Sequence, residues 1–231
     1  MPSEHTVRAY DEELEALTAE LSRMGGLAEV EVNDAIRAIA RRDVVIAQQV
    51  IGRDARLDEI ETDIERRAIR LIALRQPVAD DLRRTVAALK ISMNLERCGD
   101  LAKNIAKRAL VIAESEPLTP LTRPIERMGE LVAARLKDVL DAFAARDLDR
   151  AKVVWQRDQE VDEHYDSIFR ELLTYMMGDP RTITSCAHLL FVAKNLERIG
   201  DHATNIAEII QYEITGEPFA DQRPKLDPLE R

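Results

Sequence analysis

Four pairs of acidic residues are the feature of this sequence best suited to chemistry. In an α-helix, residues four apart lie on one face, so the two carboxylates of each pair project together and repel each other. A single pair of this kind is usually solvated helix surface, and its charge repulsion is weak. The eight residues are Asp54, Asp58, Glu96, Asp100, Asp158, Asp162, Glu197 and Asp201.

The distance of these acids from two predicted turns indicates that the pairs meet. Asp58 and Glu96 each lie 19 residues from Pro77, on opposite sides of it, and Asp54 and Asp100 each lie 23 residues away. The other four acids lie 17 to 22 residues from Pro180. At about 1.5 Å per helical residue, each antiparallel helix pair carries four carboxylates at one level, roughly 25 to 35 Å from its turn.

Four converging carboxylates need protons, basic partners or bound cations. Ligands made only of oxygen suit hard ions such as Mg²⁺, Ca²⁺ or Mn²⁺, and iron also accepts carboxylate ligands. Gly99 and Gly200 each precede an aspartate of the set. Glycine inside a helix costs about 1 kcal/mol against alanine, so its repeated use favours close approach of a neighbouring helix. Metal binding is therefore favoured, and a solvated or arginine-neutralised acidic face is the alternative.

Long helices are the elements that must position these acids. Apolar residues recur at helical spacing almost throughout, with 45% hydrophobic, 33% charged and only 4% aromatic residues. We expect an all-α fold with a possible kink or close helix contact at Gly25 and Gly26. The six predicted helices span about 7–41, 43–75, 78–114, 125–145, 148–177 and 181–215.

The sequence contains an internal duplication. Residues 94–106 align with residues 195–207 at an offset of 101, with 10 of 13 positions identical, and a fainter match at an offset of 104 lies upstream. This period is too long for a solenoid repeat and fits two bundle-sized units. We therefore predict a first three-helix unit over 1–116, a proline-rich linker over 117–124, a second unit over 125–216 and a flexible tail over 217–231.

Several functions are disfavoured by the composition and by absent motifs. A formal charge of −10 argues against binding to nucleic acid or to an anionic membrane. The sequence has no glycine-rich phosphate loop, no serine or cysteine with a plausible histidine base, and no Glu-x-x-His pattern. Cys98 and Cys186 fall inside helical patterns and are predicted to be buried thiols. These features predict a cytoplasmic protein that is not an enzyme.

Several motifs resemble those of the PhoU family. These are the doubled Leu-Glu-Arg-x-Gly-Asp at 95–100 and 196–201, Arg-Gln-Pro at 75–77, Asp-Ala-Phe-Ala at 141–144, Leu-Thr-Tyr-Met-Met at 173–177 and Pro-Arg-Thr-Ile at 180–183. The similarity runs in order from about residue 9 to residue 216. It implies two tandem three-helix bundles related by a pseudo-twofold axis, with the eight acids as Glu/Asp-x-x-x-Asp metal sites. Mg, Mn, Fe or Zn are the candidate metals.

The resemblance also implies a biological role. Members of the family act without known catalysis and couple the ATPase of the phosphate ABC transporter (PstB-like) to a sensor histidine kinase (PhoR-like). They silence the phosphate-starvation (Pho) regulon and restrain phosphate uptake when phosphate is plentiful. A homodimer recruited to the inner face of the membrane by its partners is the expected form. A helical bundle that stores metal or works as a carboxylate-bridged metalloenzyme is the alternative function.

Overall fold

Helices make up nearly all of the regular structure of the protein. The computed structural model describes residues 4–115, 119–221 and 223, and this part of the chain contains no strand. Across the same residues, no helix is long and apolar enough to cross a bilayer. The all-α prediction is therefore confirmed. The helices are α1 (Glu4–Arg41), α2 (Val44–Arg53), α3 (Ala55–Arg75), α4 (Ala79–Glu114), α5 (Thr119–Ala145), α6 (Leu148–Gln156), α7 (Gln159–Gly178) and α8 (Ile183–Thr215), with a 3₁₀ turn at Pro180–Thr182.

Two of the six predicted helices are broken, and both breaks fall at an aspartate of the acidic pairs. Asp54 separates α2 from α3, and Asp158 lies at the junction of α6 and α7. At each break a backbone hydrogen bond joins two residues that are three apart, as in a 3₁₀ helix, and not four apart as in an α-helix. Leu57 N–H donates to the Asp54 carbonyl at 3.0 Å, and Val161 N–H donates to the Asp158 carbonyl at 3.3 Å. In the pairs Asp54/Asp58 and Asp158/Asp162 the first acid therefore lies at a break and the second in the following helix, whereas the other two pairs lie within α4 and α8.

The linker and the tail also differ from their predicted form. Helix α5 begins at Thr119, so most of the predicted linker is helical, and Pro120 lies in the first turn, where a missing N–H is tolerated. Residues 116–118 lie outside the described chain. From the predicted flexible tail, residues 217–221 and 223 are described and contact the body, whereas 222 and 224–231 lie outside the description.

One hydrophobic core runs through both halves of the protein. Helix α1 packs against α2, α3 and α4, and helix α5 packs in the same way against α6, α7 and α8. Between the halves, α4 contacts α8 and α1 contacts α5, and the α4–α8 interface is the most extensive of all. The buried apolar residues form a single cluster that includes both interfaces.

Two glycines reveal the symmetry that relates the halves. A methyl group on Gly25 would meet Leu140 Cδ2 at 2.6 Å, and one on Gly129 would meet Ile36 Cγ1 at 2.8 Å. The two glycines are 104 residues apart, and so are Ile36 and Leu140. The contact between the halves is thus reciprocal, as a twofold axis requires. Gly25 provides a close helix approach, one of the two roles predicted for it.

Candidate functional site

The structure brings together the four acids of the first half, here called the first acidic cluster: Asp54, Asp58, Glu96 and Asp100. Burial raises the pKa of Asp58, and the negative charges of Asp54 and Asp100 raise it further. Burial is also the main reason that the pKa of Glu96 is raised, with Arg97 opposing this effect and Asp100 adding to it. The acids on α3 and on α4 are therefore close enough to raise one another's pKa values, as expected from their equal distance from the turn in the sequence.

Lys103 supplies this cluster with a cation from α4. Its Nζ donates a hydrogen bond to Asp54 Oδ2 and lies 3.6 Å from Asp100 Oδ1. The Asp54 side chain is 7% exposed, so its charge would be costly without this partner. The hydrogen bond to Asp54 raises the pKa of Lys103, which therefore stays protonated.

A fifth acid, Glu31 on α1, faces the first acidic cluster. Glu31 is 2% exposed, and its Oε2 atom has no hydrogen-bond partner among the residues that the structure describes. Burial, followed by the charge of Asp54, raises the pKa of Glu31 to about 7. A methyl group on Gly99 would lie 3.4 Å from Glu31 Oε2 and would overlap Leu57. The close helix approach predicted at Gly99 is thus confirmed.

The second acidic cluster, Asp158, Asp162, Glu197 and Asp201, is organised differently. Arg223 Nε donates to Asp158 Oδ2 at 2.7 Å, and Arg223 Nη2 donates to Asp158 Oδ1 at 3.1 Å and to Asp201 Oδ1 at 2.6 Å. Asp158 Oδ1 also accepts a hydrogen bond from Thr204 Oγ1 at 2.7 Å. Glu197 instead pairs with Lys194 on its own helix at 2.7 Å. Arg223 therefore bridges two of the four predicted acids, Asp158 at the start of α7 and Asp201 on α8.

The fit of these residues to a metal ion depends on both their chemistry and their arrangement. Carboxylate oxygens are suitable ligands for hard cations. However, within residues 4–115, 119–221 and 223, no three acidic, histidine or cysteine side chains are grouped so that they could hold a metal ion. Lys103 and Arg223 provide the positive charge instead. As arranged here the acids do not fit a metal, and their role as metal ligands stays a prediction.

Four residues of these clusters did not emerge from the sequence patterns, although the duplication carried a signal for them. Lys103 and Thr204 occupy one of the three positions that differ between the aligned segments 94–106 and 195–207. Glu31 and Arg135 are 104 residues apart and so also occupy equivalent positions. Arg135 is 4% exposed and donates to the Asp158 carbonyl at 3.3 Å. Lys103, Arg135 and Glu31 thus lie at positions where the two copies differ, and not at positions where they are identical.

His202 and two asparagines connect the second cluster to the first half. His202 Nδ1 lies 2.9 Å from Asn94 Oδ1 in the α4–α8 interface. Burial accordingly lowers the pKa of His202. Asn205 donates to Asn94 Oδ1 at 3.4 Å and accepts from Arg223 at 3.1 Å. Asn205 therefore makes one contact between helices and one beside the second acidic cluster.

The two cysteines and the single tryptophan lie in the core. Cys98 and Cys186 are both fully buried free thiols, as predicted, and burial raises the pKa of Cys98 to about 12. Trp155 is 4% exposed and its Nε1 donates to Glu208 at 3.1 Å. None of these side chains extends the acidic clusters, so the candidate site consists of the acids and the cations between them.

Comparison with known proteins identifies the duplicated unit. A family model described as the PhoU domain matches the chain twice, over residues 21–109 and 125–210. The chain belongs to the PhoU family. Each match lies within one half of the pseudo-twofold structure, so the PhoU domain corresponds to one three-helix unit with its broken second helix.

Relatives in this family match the chain over almost its whole length. A "Phosphate-specific transport system accessory protein PhoU homolog" from Caulobacter vibrioides is 69% identical over 227 residues, which cover 98% of this chain and 99% of the relative. A PhoU homolog with the same description from Rhizobium meliloti is 51% identical, covering 98% of this chain and 96% of the relative. The match therefore covers almost the whole of this chain and of these two relatives.

Solved PhoU structures have the same fold. The crystal structure of PhoU from Pseudomonas aeruginosa is 40% identical, covers 90% of this chain and 100% of its own, and superimposes with a TM-score of 0.85. The structure of the phosphate transport system regulatory protein PhoU from Streptococcus pneumoniae is 29% identical, with a TM-score of 0.84 and coverage of 92% and 100%. Six helical segments in two related halves are thus the shared architecture of this family.

Proposed function

We propose that this chain is a regulatory adaptor without catalytic activity that restrains the phosphate-starvation response. The observation that carries the proposal is the match, at 69% identity over 98% of the chain, to a protein named as an accessory of phosphate-specific transport. In this role the chain contacts the ATPase of the phosphate ABC transporter (PstB-like) and a sensor histidine kinase (PhoR-like). It works in the cytoplasm as a homodimer and lowers both kinase signalling and phosphate uptake when phosphate is plentiful.

Exposed apolar side chains at the two helix hairpins support an adaptor role. Leu74 and Val78 flank the turn between α3 and α4, and their exposed fractions are 65% and 74%. Met177 and Ile183 flank the turn between α7 and α8, with exposed fractions of 80% and 47%. A single exposed apolar side chain is ordinary, but exposed apolar side chains close together on a protein surface are typical of contacts with partner proteins. Both halves thus present an apolar tip at equivalent places.

We also propose that the eight predicted acids bind divalent or trivalent metal ions, with Mg, Mn, Fe or Zn as candidates. The raised pKa values of Asp58 and Glu96 support this part of the proposal, because neighbouring carboxylates that repel each other are stabilised by an added cation. The carboxylates have to converge further than they do in this conformation, since Lys103 and Arg223 neutralise them here.

Complementation of a deletion strain tests the regulatory function. Loss of the gene is expected to switch on phosphate-starvation genes in phosphate-rich medium, and the wild-type chain is expected to silence them again. A tagged wild-type chain should also capture the transporter ATPase and the kinase. Silent phosphate-starvation genes in the deletion strain would show that the chain has another function.

The metal proposal has its own test and a matched control. Glu96→Ala with Asp100→Ala should remove about half of the metal in the purified protein, because each half carries its own set of ligands. The corresponding change in the second cluster should do the same. The control is Glu126→Ala with Glu130→Ala, an exposed pair on α5 with the same spacing but outside both clusters. Equal metal content in all these variants would eliminate the eight acids as ligands.

Chelation separates a regulatory metal from a structural one. The continuous apolar core should keep the chain folded without metal, unlike small domains that fold only around an ion. The helical circular-dichroism signal is therefore expected to survive chelation while affinity for the kinase or the ATPase falls. A variant lacking all eight acids should stay soluble but fail to silence phosphate-starvation genes. Normal silencing by that variant would contradict a regulatory role for the clusters.

A further inference from the structure

The end of helix α8 directs the chain back onto the second half. Gly216 follows the helix with a φ of 79°, a left-handed conformation that suits glycine, and its N–H donates to the Tyr212 carbonyl at 2.9 Å. Thr215 Oγ1 then accepts from Glu217 N–H at 3.1 Å and closes a tight turn. The segment formed by residues 216–221 and 223 is therefore turned toward the helices rather than away from them.

An aromatic contact holds the middle of this segment. Phe219 stacks on Trp155 with a distance of 4.6 Å between ring centroids and an angle of 26° between ring planes. A stacked aromatic pair of this kind adds to the stabilisation that the buried area of the two rings provides. The segment also closes one side of a cleft of about 430 Å³ between α4 and α8, which includes Arg83 and Tyr212 in its walls. Phe219 thus covers the face of the one tryptophan in the chain.

Arg223 anchors the far end of the segment with four hydrogen bonds. Two go to Asp158 and one to Asp201, at the distances given above, and Nη1 donates to Asn205 Oδ1 at 3.1 Å. The Asp158 side chain is 5% exposed and the Arg223 side chain is 19% exposed. A bidentate arginine on a buried carboxylate is among the stronger polar contacts in proteins.

The duplication explains why the second half needs this arginine. Lys103 neutralises Asp54 in the first half, but the equivalent position in the second half is Thr204. A threonine hydroxyl donates one hydrogen bond to Asp158 but carries no charge. Arg135 binds the backbone carbonyl of Asp158, so without Arg223 the buried carboxylate of Asp158 would have no cation bound to its own oxygens among the described residues, which is unfavourable.

We propose that residues 216–221 and 223 form an intramolecular latch, in which Arg223 is the cation that fills the second acidic cluster in place of a metal ion. The two clusters then differ in the part of the chain that supplies their cation. The first is neutralised by Lys103, which belongs to a core helix, whereas the second is neutralised by a segment that can detach without unfolding any helix. Release of the latch would uncover Trp155, open the cleft and free Asp158 and Asp201 for an outside cation.

Tryptophan fluorescence tests the latch directly, because Trp155 is the only tryptophan. Arg223→Ala is expected to shift the emission to longer wavelength and to raise the acrylamide quenching constant about twofold, since Phe219 no longer covers the ring. The control is Arg181→Ala, which removes an arginine that also binds an aspartate through two nitrogens but lies at the exposed turn before α8. This control should leave the fluorescence unchanged.

A second variant and a metal probe complete the test. Deleting residues 217–231 removes the segment after its Gly216 cap, and its fluorescence should match that of Arg223→Ala while the helical signal is retained. Mn²⁺, followed by electron paramagnetic resonance, should bind more tightly to Arg223→Ala than to the wild-type chain. Two results would overturn the latch: wild-type Trp155 as quenchable as in the deletion, or equal and measurable Mn²⁺ affinity in both proteins. Mn²⁺ that binds neither protein would overturn the metal proposal instead, and the fluorescence would then decide the latch alone. Neither measurement involves phosphate signalling, so failure here is distinct from failure of the adaptor role.

Discussion

Replacing Glu31 with glutamine is expected to stabilise the protein at alkaline pH and to change its stability little at acidic pH. The folded protein raises the pKa of Glu31 from 4.5 to about 7, mainly through burial and then through the charge of Asp54. In the unfolded chain this carboxyl ionises near its ordinary pKa, so between these values the folded state binds more protons. Stability is therefore lost as the pH rises through this window.

The size of the effect follows from the same shift. A difference of about 2.5 pKa units at about 1.36 kcal/mol each gives an upper value of about 3 kcal/mol. Glutamine has nearly the same shape and no charge at any pH, so Glu31→Gln removes this loss. The difference in unfolding free energy between variant and wild type should be small at pH 5 and should reach at most about 3 kcal/mol at pH 8.

Urea unfolding followed by circular dichroism measures this difference. A chelator should be present in every sample, so that no metal ion compensates the charge of the first acidic cluster. Glu126→Gln is the control, since this residue is exposed on α5 and its substitution should have the same small effect at both pH values. A pH-independent difference between Glu31→Gln and the wild type would refute the argument, because the pKa of the Glu31 carboxyl would then be the same in the folded and unfolded states.

Three further predictions concern packing, capping and thiol burial. Gly26→Ala should raise the unfolding free energy by about 1 kcal/mol, since the new methyl meets nothing within 4 Å. Gly25→Ala should lower the unfolding free energy, because its methyl would overlap a leucine of α5. Asp43→Ala should lower it by about 1 kcal/mol, because the side chain accepts hydrogen bonds from two N–H groups at the start of α2. Both predictions are checked by urea titration. Cys98 and Cys186 should not react with a thiol reagent in the native protein and should both react in urea.

Much of the fold could be predicted from the sequence because helical spacing of apolar residues is a local signal. The equal distance of the four acids of the first acidic cluster from their turn was also predictable, since a helix rises by a constant amount per residue. The breaks at Asp54 and Asp158 could not be predicted in this way. Neither break contains proline or glycine, and the apolar pattern continues on both sides of it. Such a break depends on packing against neighbouring helices and not on the residues at the break itself.

The cations of the site differ in how far the sequence could reveal them. Lys103 lies three residues after Asp100 in a duplicated segment, so comparing the two copies position by position exposes it. Arg223 has no counterpart and is separated from Asp158 by 65 residues. No rule based on sequence spacing predicts the contact between Arg223 and Asp158, because this contact exists only once the three-dimensional structure has formed. The sequence therefore allowed an arginine-neutralised acidic face as the alternative to metal binding, but it could not identify Arg223 as the arginine.

The reciprocal contacts between the halves suggest how this protein arose. Because Gly25 meets Leu140 just as Gly129 meets Ile36, each half carries a surface that is complementary to a copy of itself. An ancestor of half the length would have paired with its own copy through α1 and α4 and formed the same core as a dimer. Gene fusion made this pairing independent of protein concentration. It also released the two copies to diverge, so that one position became Glu31 in one half and Arg135 in the other.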